Sequence, residues 1–320
     1  MNICKSTIRK SAVMVVCLVL GVPAFAAQLG GDARSAIPKD LQQLIVVDYR
    51  AMQNSPAAMN LKSRVLPPEI KQLEEAVKQS GLNENHDVDQ LAFAAFRVNG
   101  GGDSTRTVGI AQGQFSVTDI MAIFKKQKVK PTMIRTNKVY PMAKSGMVIS
   151  FLDQTTMVFG ASEAVRAALD ARDGLAQSLL NNGTMLDMMQ SVDSEPLWSI
   201  LDQKGTQMMM RSVLGEASQL ADYESVKKRL LSSRYTMNFQ HGVKFNLDVL
   251  TPDTFTAATM SSLLNAAALY KKMSGTDIEK QAIESTTIDS DAGKLSVRFS
   301  ASDGQFASLL QSPLFQSVVH

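Results

Sequence analysis

The sequence predicts an α+β fold built as two diverged tandem units, each a mainly antiparallel sheet with helices packed on it. Three observations carry this expectation. Residues 234–250, "RYTMNFQHGVKFNLDVL", alternate apolar and polar side chains on both sides of a glycine turn, the period of a half-buried antiparallel hairpin. A strand-like segment runs through Ser or Thr into a helical period in "QGQF-SVTDIMAIF", "FGA-SEAVRAAL", "DVL-TPDTFTAATM" and "FSA-SDGQFASLL". Finally, the order strand, helix, hairpin, helix, strands, helix can be read twice along the chain.

Residues 1–26 read as a secretory signal peptide. Lys5, Arg9 and Lys10 form a positive start, Ala12 to Val22 is apolar, and Ala24-Phe25-Ala26 offers a small-x-small cleavage site. The apolar run is too short for a permanent membrane span, and Cys17 sits inside it without the small preceding residues that lipidation needs.

Residues 27–43 read as a flexible lead-in and 44–172 as the first unit. That unit starts with the strand "LIVVDY" (44–49) and a helix over Leu61–Gln79, which Pro67-Pro68 divides by starting a new helix. A hairpin follows, "LAFAAFRV" and "TVGIAQGQF" around the tip "NGGGDST", then a helix from Val117, short strands over 132–160 and a helix to Arg172. Residues 173–184 read as a linker, and 185–320 as the second unit. Its elements are the strand "PLWSIL", helices over 206–231, the 234–250 hairpin, a helix over Pro252–Met273, a hairpin over Ile283–Phe299 and a final helix from Asp303. In the 234–250 hairpin, a three-residue loop Gln240-His241-Gly242 pairs Phe239 with Val243 and keeps the apolar side chains together. It places Gly242 where a left-handed residue is needed.

Removing the signal changes what composition implies. Both cysteines, Cys4 and Cys17, leave with it, so the processed chain has no disulfide, thiol nucleophile or cysteine-ligated metal. The chain holds 33 basic and 30 acidic residues, and the signal takes three of the basic ones. The balance that remains gives no reason to expect a nucleic-acid partner. No later segment has the length and apolarity of a transmembrane helix.

Motifs that carry chemistry are scarce. Gly160 stands alone before a helix, without the G-x-G-x-x-G of a dinucleotide site, so Ser162 reads as a helix cap and no cofactor is expected. The same joins place Ser116 with Asp119 at capping-box spacing and Thr251 as an N-cap before Pro252. His86 lies in "NENHDVDQ", which puts Val88 and Ala94 where a calcium loop requires Gly and Glu. Ser225-Val226-Lys227-Lys228 and Lys144-Ser145-Gly146 match fragments of penicillin-binding motifs in the wrong chain order. No catalytic, cofactor-binding or metal-ligating residue is assigned.

Methionine is the compositional oddity, with 18 in the chain. Met185, Met188 and Met189 share a helical face with Val192, while Met208, Met209 and Met210 are consecutive and cannot all face one core. Thioethers fill cores, line adaptable apolar grooves and bind Cu(I). The candidate apolar binding surface is Met185, Met188, Met189, Met208, Met209 and Met210.

The stretch "SGMVISFLDQTTMVFGASEAVRAALDARDG" resembles a segment of exported bacterial proteins of unassigned function; the resemblance implies export and no activity. The expected product is periplasmic or secreted and non-enzymatic, acting through an apolar or protein-binding surface toward a protein or an apolar ligand. The alternative is a periplasmic hydrolase whose carboxylates carry no sequence motif. The mature chain is expected to begin at Ala27. N-terminal sequencing of exported material checks this, and a membrane-retained product still starting at Met1 would refute it.

Overall fold

Alternating side chains force each strand to present two faces, and the register of this chain uses the two faces differently. A computed structural model describes residues 28–98, 104–142, 145–215, 218, 221–313 and 315. The signal segment and residues 99–103 of the first hairpin tip lie outside the described residues. The first half of the chain runs α1 (Gly31–Ala36), β1 (Leu41–Asp48), α2 (Tyr49–Met52), α3 (Pro56–Val65), α4 (Pro68–Gln79), α5 (Glu84–Asp87), β2 (Val88–Arg97), β3 (Thr105–Gly113), α6 (Val117–Lys126), β4 (Thr132–Ile134), β5 (Asn137–Met142), β6 (Met147–Phe151), β7 (Thr156–Gly160) and α7 (Ser162–Arg172). A 3-10 turn at Leu179–Asn181 leads into α8 (Gly183–Gln190), β8 (Leu197–Leu201), α9 (Gln203–Leu214), α10 (Ala221–Val226), β9 (Ser232–Asn238) and β10 (Val243–Leu250). Last come α11 (Thr254–Ser274), α12 (Asp277–Glu284), β11 (Thr286–Asp291), β12 (Lys294–Ala301) and α13 (Asp303–Leu309).

The protein is α+β, with one large antiparallel sheet in the order β11-β12-β10-β9-β8-β1-β2-β3-β7-β6-β5-β4. At its centre β1 pairs with β8, setting Leu44 opposite Ile200 and Val46 opposite Trp198. Outward from β1 the order is β2-β3-β7-β6-β5-β4, and outward from β8 it is β9-β10-β12-β11.

Register assigns the cores. Leu44, Val46, Ala92, Ala94, Val108, Ile110, Val158, Trp198 and Ile200 share one face, where α1, α7 and α8 cover them. On the opposite face, Ala111, Ile149, Met157 and Phe159 pack under α4 and α6. Leu247, Val249 and Leu295 of that same face pack under α9, α10 and α11. Beyond β8 the first face is polar instead: Asn246 stands opposite Thr236 and Arg298, and Asn246, Arg298 and Thr287 are exposed. An antiparallel sheet tolerates one solvated face, and this one is solvated over its second half only.

Several sequence expectations need correction. Of the expected flexible lead-in 27–43, the described part is packed: Ala33 and Ala36 of α1, with Leu29 and Ile37 on either side of it, lie in the core and are all nearly inaccessible. Within the six-residue helix only Ala33 and Ala36 are buried, and Leu29 and Ile37 flank it, so no apolar stripe stands out from its polar neighbours. Nor is 173–184 a free linker. Leu179 N–H donates to Ile37 and Lys39 N–H to Gln177, so the two segments hold each other and Leu179 is buried. β1 begins at Leu41, three residues before the expected start, because a bulge between Leu41 and Gln43 keeps Leu41 in the core.

The caps differ too. Ser116 makes no side-chain cap bond, and Ala161 holds the N-cap of α7, with Ser162 the first helical residue. Asp253 caps α11 by accepting from Thr256 N–H, while the Thr251 hydroxyl bonds the Gly293 carbonyl instead. Ser302 does form a capping box, with Gln305. So do Thr276 and Glu279 at the start of α12, a helix the sequence reading passed over.

The 234–250 hairpin has the expected register. Asn238 pairs with Lys244 and Tyr235 with Leu247, which continues to Phe239 opposite Val243. His241 and Gly242 both have positive φ, 103° and 88°, and a Cβ on Gly242 would come within 2.6 Å of the Ala301 carbonyl oxygen. Gly242→Val should therefore cost at least the ~1–3 kcal/mol of a strained backbone site. His241→Asn should change stability by less than about 0.5 kcal/mol, since Asn enters the left-handed region readily. Urea midpoints measure both, and equal midpoints would refute the loop geometry.

Candidate functional site at the sheet seam

Antiparallel pairing brings the start of β1, the ends of β2 and β8, the start of β9 and the end of β10 to one rim of the sheet. A cleft of about 420 Å³ opens there, within the usual range for small-molecule sites. Lys39 and Asp40 line it from the bend before β1, Leu41 from the start of β1 and Arg97 from the end of β2. Asn182, Thr184, Met185 and Met188 come from α8 and its N-cap, Asp202 and Gln203 from the β8–α9 junction, and Leu231, Ser232 and Leu250 from β9, β10 and the turn ahead of them.

Local chemistry fixes this lining. The Asn182 side chain accepts from Met185 N–H at 3.2 Å, capping α8, and donates to the Lys39 carbonyl at 3.0 Å. Asp202 caps α9 by accepting from Gly205 N–H at 2.9 Å, and its other carboxylate oxygen accepts from the Arg97 guanidinium. Arg97 N–H donates to the Asp40 carbonyl at 2.9 Å. One ion pair thus ties β2 to the start of α9 across the seam. The Arg97 side chain is 13% exposed, and its Nε is buried with no hydrogen-bond partner among the described residues. Lys39 Nζ donates to the neutral Gln177 amide oxygen at 2.9 Å. Met185 and Met188 are buried, whereas Leu231 at the mouth is half exposed.

The six methionines do not form one surface. Met185, Met188, Met189 and Met210 are buried, Met209 packs partly buried on the second-half core, and Met208 alone of the six is largely exposed. Helix geometry separates them: in α9 each consecutive residue turns by about 100°, so Met210 faces the sheet while Met208 faces water near Gln42. Met185 and Met188 reach the cleft only as part of its wall. Arg97 and Asp202, which the sequence reading missed, are 105 positions apart. The usable signal was local, Asp202 three residues before Gly205 at the strand-to-helix junction.

A second feature is a carboxylate pair on the opposite face. Lys62 of α3 contacts Glu74 of α4 at 3.3 Å and Glu84 of α5 more closely, and Lys78 lies 2.8 Å from Glu74. Tyr49 donates to Asn85 at 2.9 Å, with the Lys62 ammonium over its ring. Burial opposes ionisation of Glu74, but the hydrogen bond from Glu84 and the two ammonium groups outweigh it and hold that carboxyl down to about 2. Burial, reinforced by the Glu74 carboxylate, pushes Glu84 up. Burial and Glu84 together raise Tyr49. Neither carboxylate lines the seam cleft or the smaller groove of about 220 Å³ between α12 and α13. No group of three or more potential metal ligands occurs among the described residues. His86 belongs to the helical turn α5 and His241 to the hairpin loop. No helix among the described residues is long and apolar enough to cross a membrane.

The chain is similar in fold to solved structures of TP0453. Crystal form I matches with a TM-score of 0.50 and 10% identity, covering 92% of this chain and 98% of that one. Crystal form III also gives 0.50 at 10% identity, covering 87% and 96%. No family model matches the chain, and no curated protein matches it in sequence. The likeness is one of fold alone.

The carboxylate pair predicts a pH signature. A carboxyl lowered by folding stabilises above its unfolded value and loses that contribution as pH falls toward 2; one raised by folding favours the fold at low pH and loses that contribution as pH rises through it. Glu84→Gln keeps a donor toward Glu74 and removes only the second effect. Its urea midpoint relative to the parent should rise as pH increases from about 4.5, the unfolded value, toward neutrality. Parallel midpoint curves would refute the shift at Glu84.

Proposed function

We propose that this is an exported protein, periplasmic or secreted, that acts by holding an apolar ligand in the seam cleft and performs no catalysis of its own. The observation that carries this reading is the cleft itself. Two methionines and three leucines give it apolar wall, and eight polar residues, four of them charged, share the lining, so apolar surface and charged groups meet in one concavity. Export is supported by the charged, apolar and small-residue pattern of residues 1–26 and by the resemblance of residues 145–174 to exported bacterial proteins. The orders β1-β2-β3-β7-β6 and β8-β9-β10-β12-β11, which match apart from the added β5 and β4, support two diverged copies of one unit, and on that view the cleft lies where the copies meet through their first strands.

The hydrolase alternative would need acids converging in a cleft. Glu74 and Glu84 converge, but with two ammonium groups between them and their surroundings, an arrangement that ties three helices together.

Binding of an apolar fluorescent dye tests the proposal. Leu231 is half exposed at the mouth, so Leu231→Glu should leave the denaturation midpoint within about 0.5 kcal/mol. It should weaken dye binding about tenfold, matching the ~1.4 kcal/mol of a partly buried leucine contact. Met208→Gln, on the outer face of α9, should leave binding unchanged. Dye affinity insensitive to Leu231→Glu, or abolished by Met208→Gln, would move the site elsewhere.

A further inference from the structure

We infer that the seam cleft takes a compact monocarboxylate with an apolar body, its carboxylate received by Arg97 and Lys39 and its body by Met185, Met188, Leu231 and Leu250. This rests on the reading of the cleft as a binding site and adds the ligand's chemistry.

The polar end is one acceptor short. A buried N–H without an acceptor is costly, and Arg97 Nε is such a group among the described residues. The guanidinium is planar, with donors spread along its fork, and presents them to carboxylates in preference to neutral acceptors. Asp202 engages one terminal nitrogen only, so the fork has donors left for a second oxyanion. Charge sets the stoichiometry. Arg97 and Asp202 cancel each other inside the cleft, while Asp40 is exposed at the lip, where solvent and salt screen it. Lys39 is half-buried, and its recorded hydrogen bond goes to an uncharged amide. One cation whose hydrogen bond goes to a neutral group suits a singly charged head, and a phosphate dianion would bring a second charge with no matching cation in the lining.

The apolar end sets the rest of the ligand. Two methionines supply flexible, polarizable walls that accept unbranched or branched aliphatic shapes, and Leu231 can close over the outer end. A carboxylate on an aliphatic body occurs both as a free aliphatic acid and as the C-terminus of an apolar peptide, and both present the same chemistry here.

Calorimetry on the full exported chain distinguishes these cases. Octanoate is compared with octanol, and N-acetyl-leucyl-leucine with its C-terminal amide. The acid of at least one pair should bind fivefold or more tightly than its neutral partner, and the pair showing the preference identifies the source. In the double variant Arg97→Met with Asp202→Asn, both charges leave together and the α9 cap is kept. The acid preference should then fall below twofold while octanol affinity holds. Lys39→Gln, which breaks no ion pair recorded among the described residues, is the second variant, and should reduce the preference about threefold even if the double variant is unstable. Equal binding of acids and neutral partners, or a preference that survives both variants, overturns the carboxylate assignment and leaves the apolar cleft standing. Failure of all four probes to bind overturns both.

Discussion

The pairing of β1 with β8 is the constraint on which the rest of the structure depends. All five residues of β8, Leu197 to Leu201, are buried, and Trp198 and Ile200 sit directly against Val46 and Leu44. Even Ser199 is inaccessible, and its hydroxyl accepts from the Gln43 amide at 3.2 Å. A strand buried on both faces cannot be left as an edge, because its backbone donors and acceptors would lose both water and partner. The second half of the chain therefore completes the sheet of the first. The segments around residues 37 and 179 add main-chain bonds next to that seam, which is why neither behaves as a connector.

Coverage of the sheet follows from the seam and is unequal. Helices α1, α7 and α8 cover one face from β7 across to β8, and past β8 that face turns polar. Thr236, Asn246 and Arg298 need no cover, so nothing selects for a helix over them. The cleft forms where cover ends: α8 is the last element over the apolar half, and β9 and β10 start the bare half. A concavity at such a step is a geometric consequence of a sheet covered along its whole length on one side and over only part of it on the other. Its chemistry is then decided by whichever side chains finish the five strands at that rim.

What could be read from the sequence follows how local the determining physics is. The 234–250 register was legible because a period of two admits only one pairing that keeps Tyr235, Leu247 and Phe245 on one side, and a glycine stood where the backbone turns left-handed. Strand and helix order was legible for the same reason. Helix α1 was not, since two alanines, flanked by Leu29 and Ile37 in polar company, give no amphipathic signal until α7 is placed beneath them. The methionines show the limit from the other direction. Their helical spacing was read correctly, and spacing alone does not say whether a stripe faces a core or water. Arg97 and Asp202 became neighbours only through the pairing of strands from opposite halves, which no local pattern records.

That ion pair raises a question that stability does not answer. Taking a guanidinium and a carboxylate largely out of water costs about as much as their attraction returns, and well-packed apolar residues in such places are often equally or more stabilising. The Asp202 cap would survive as asparagine, so helix α9 does not require the charge either. Between Ala94 and Ile200 the first face of the sheet closes with apolar side chains, Leu44 and Val46 among them. A charged pair with an N–H left over, set at the one rim that opens into a cleft, is therefore better explained by what enters the cleft than by what holds the sheet together.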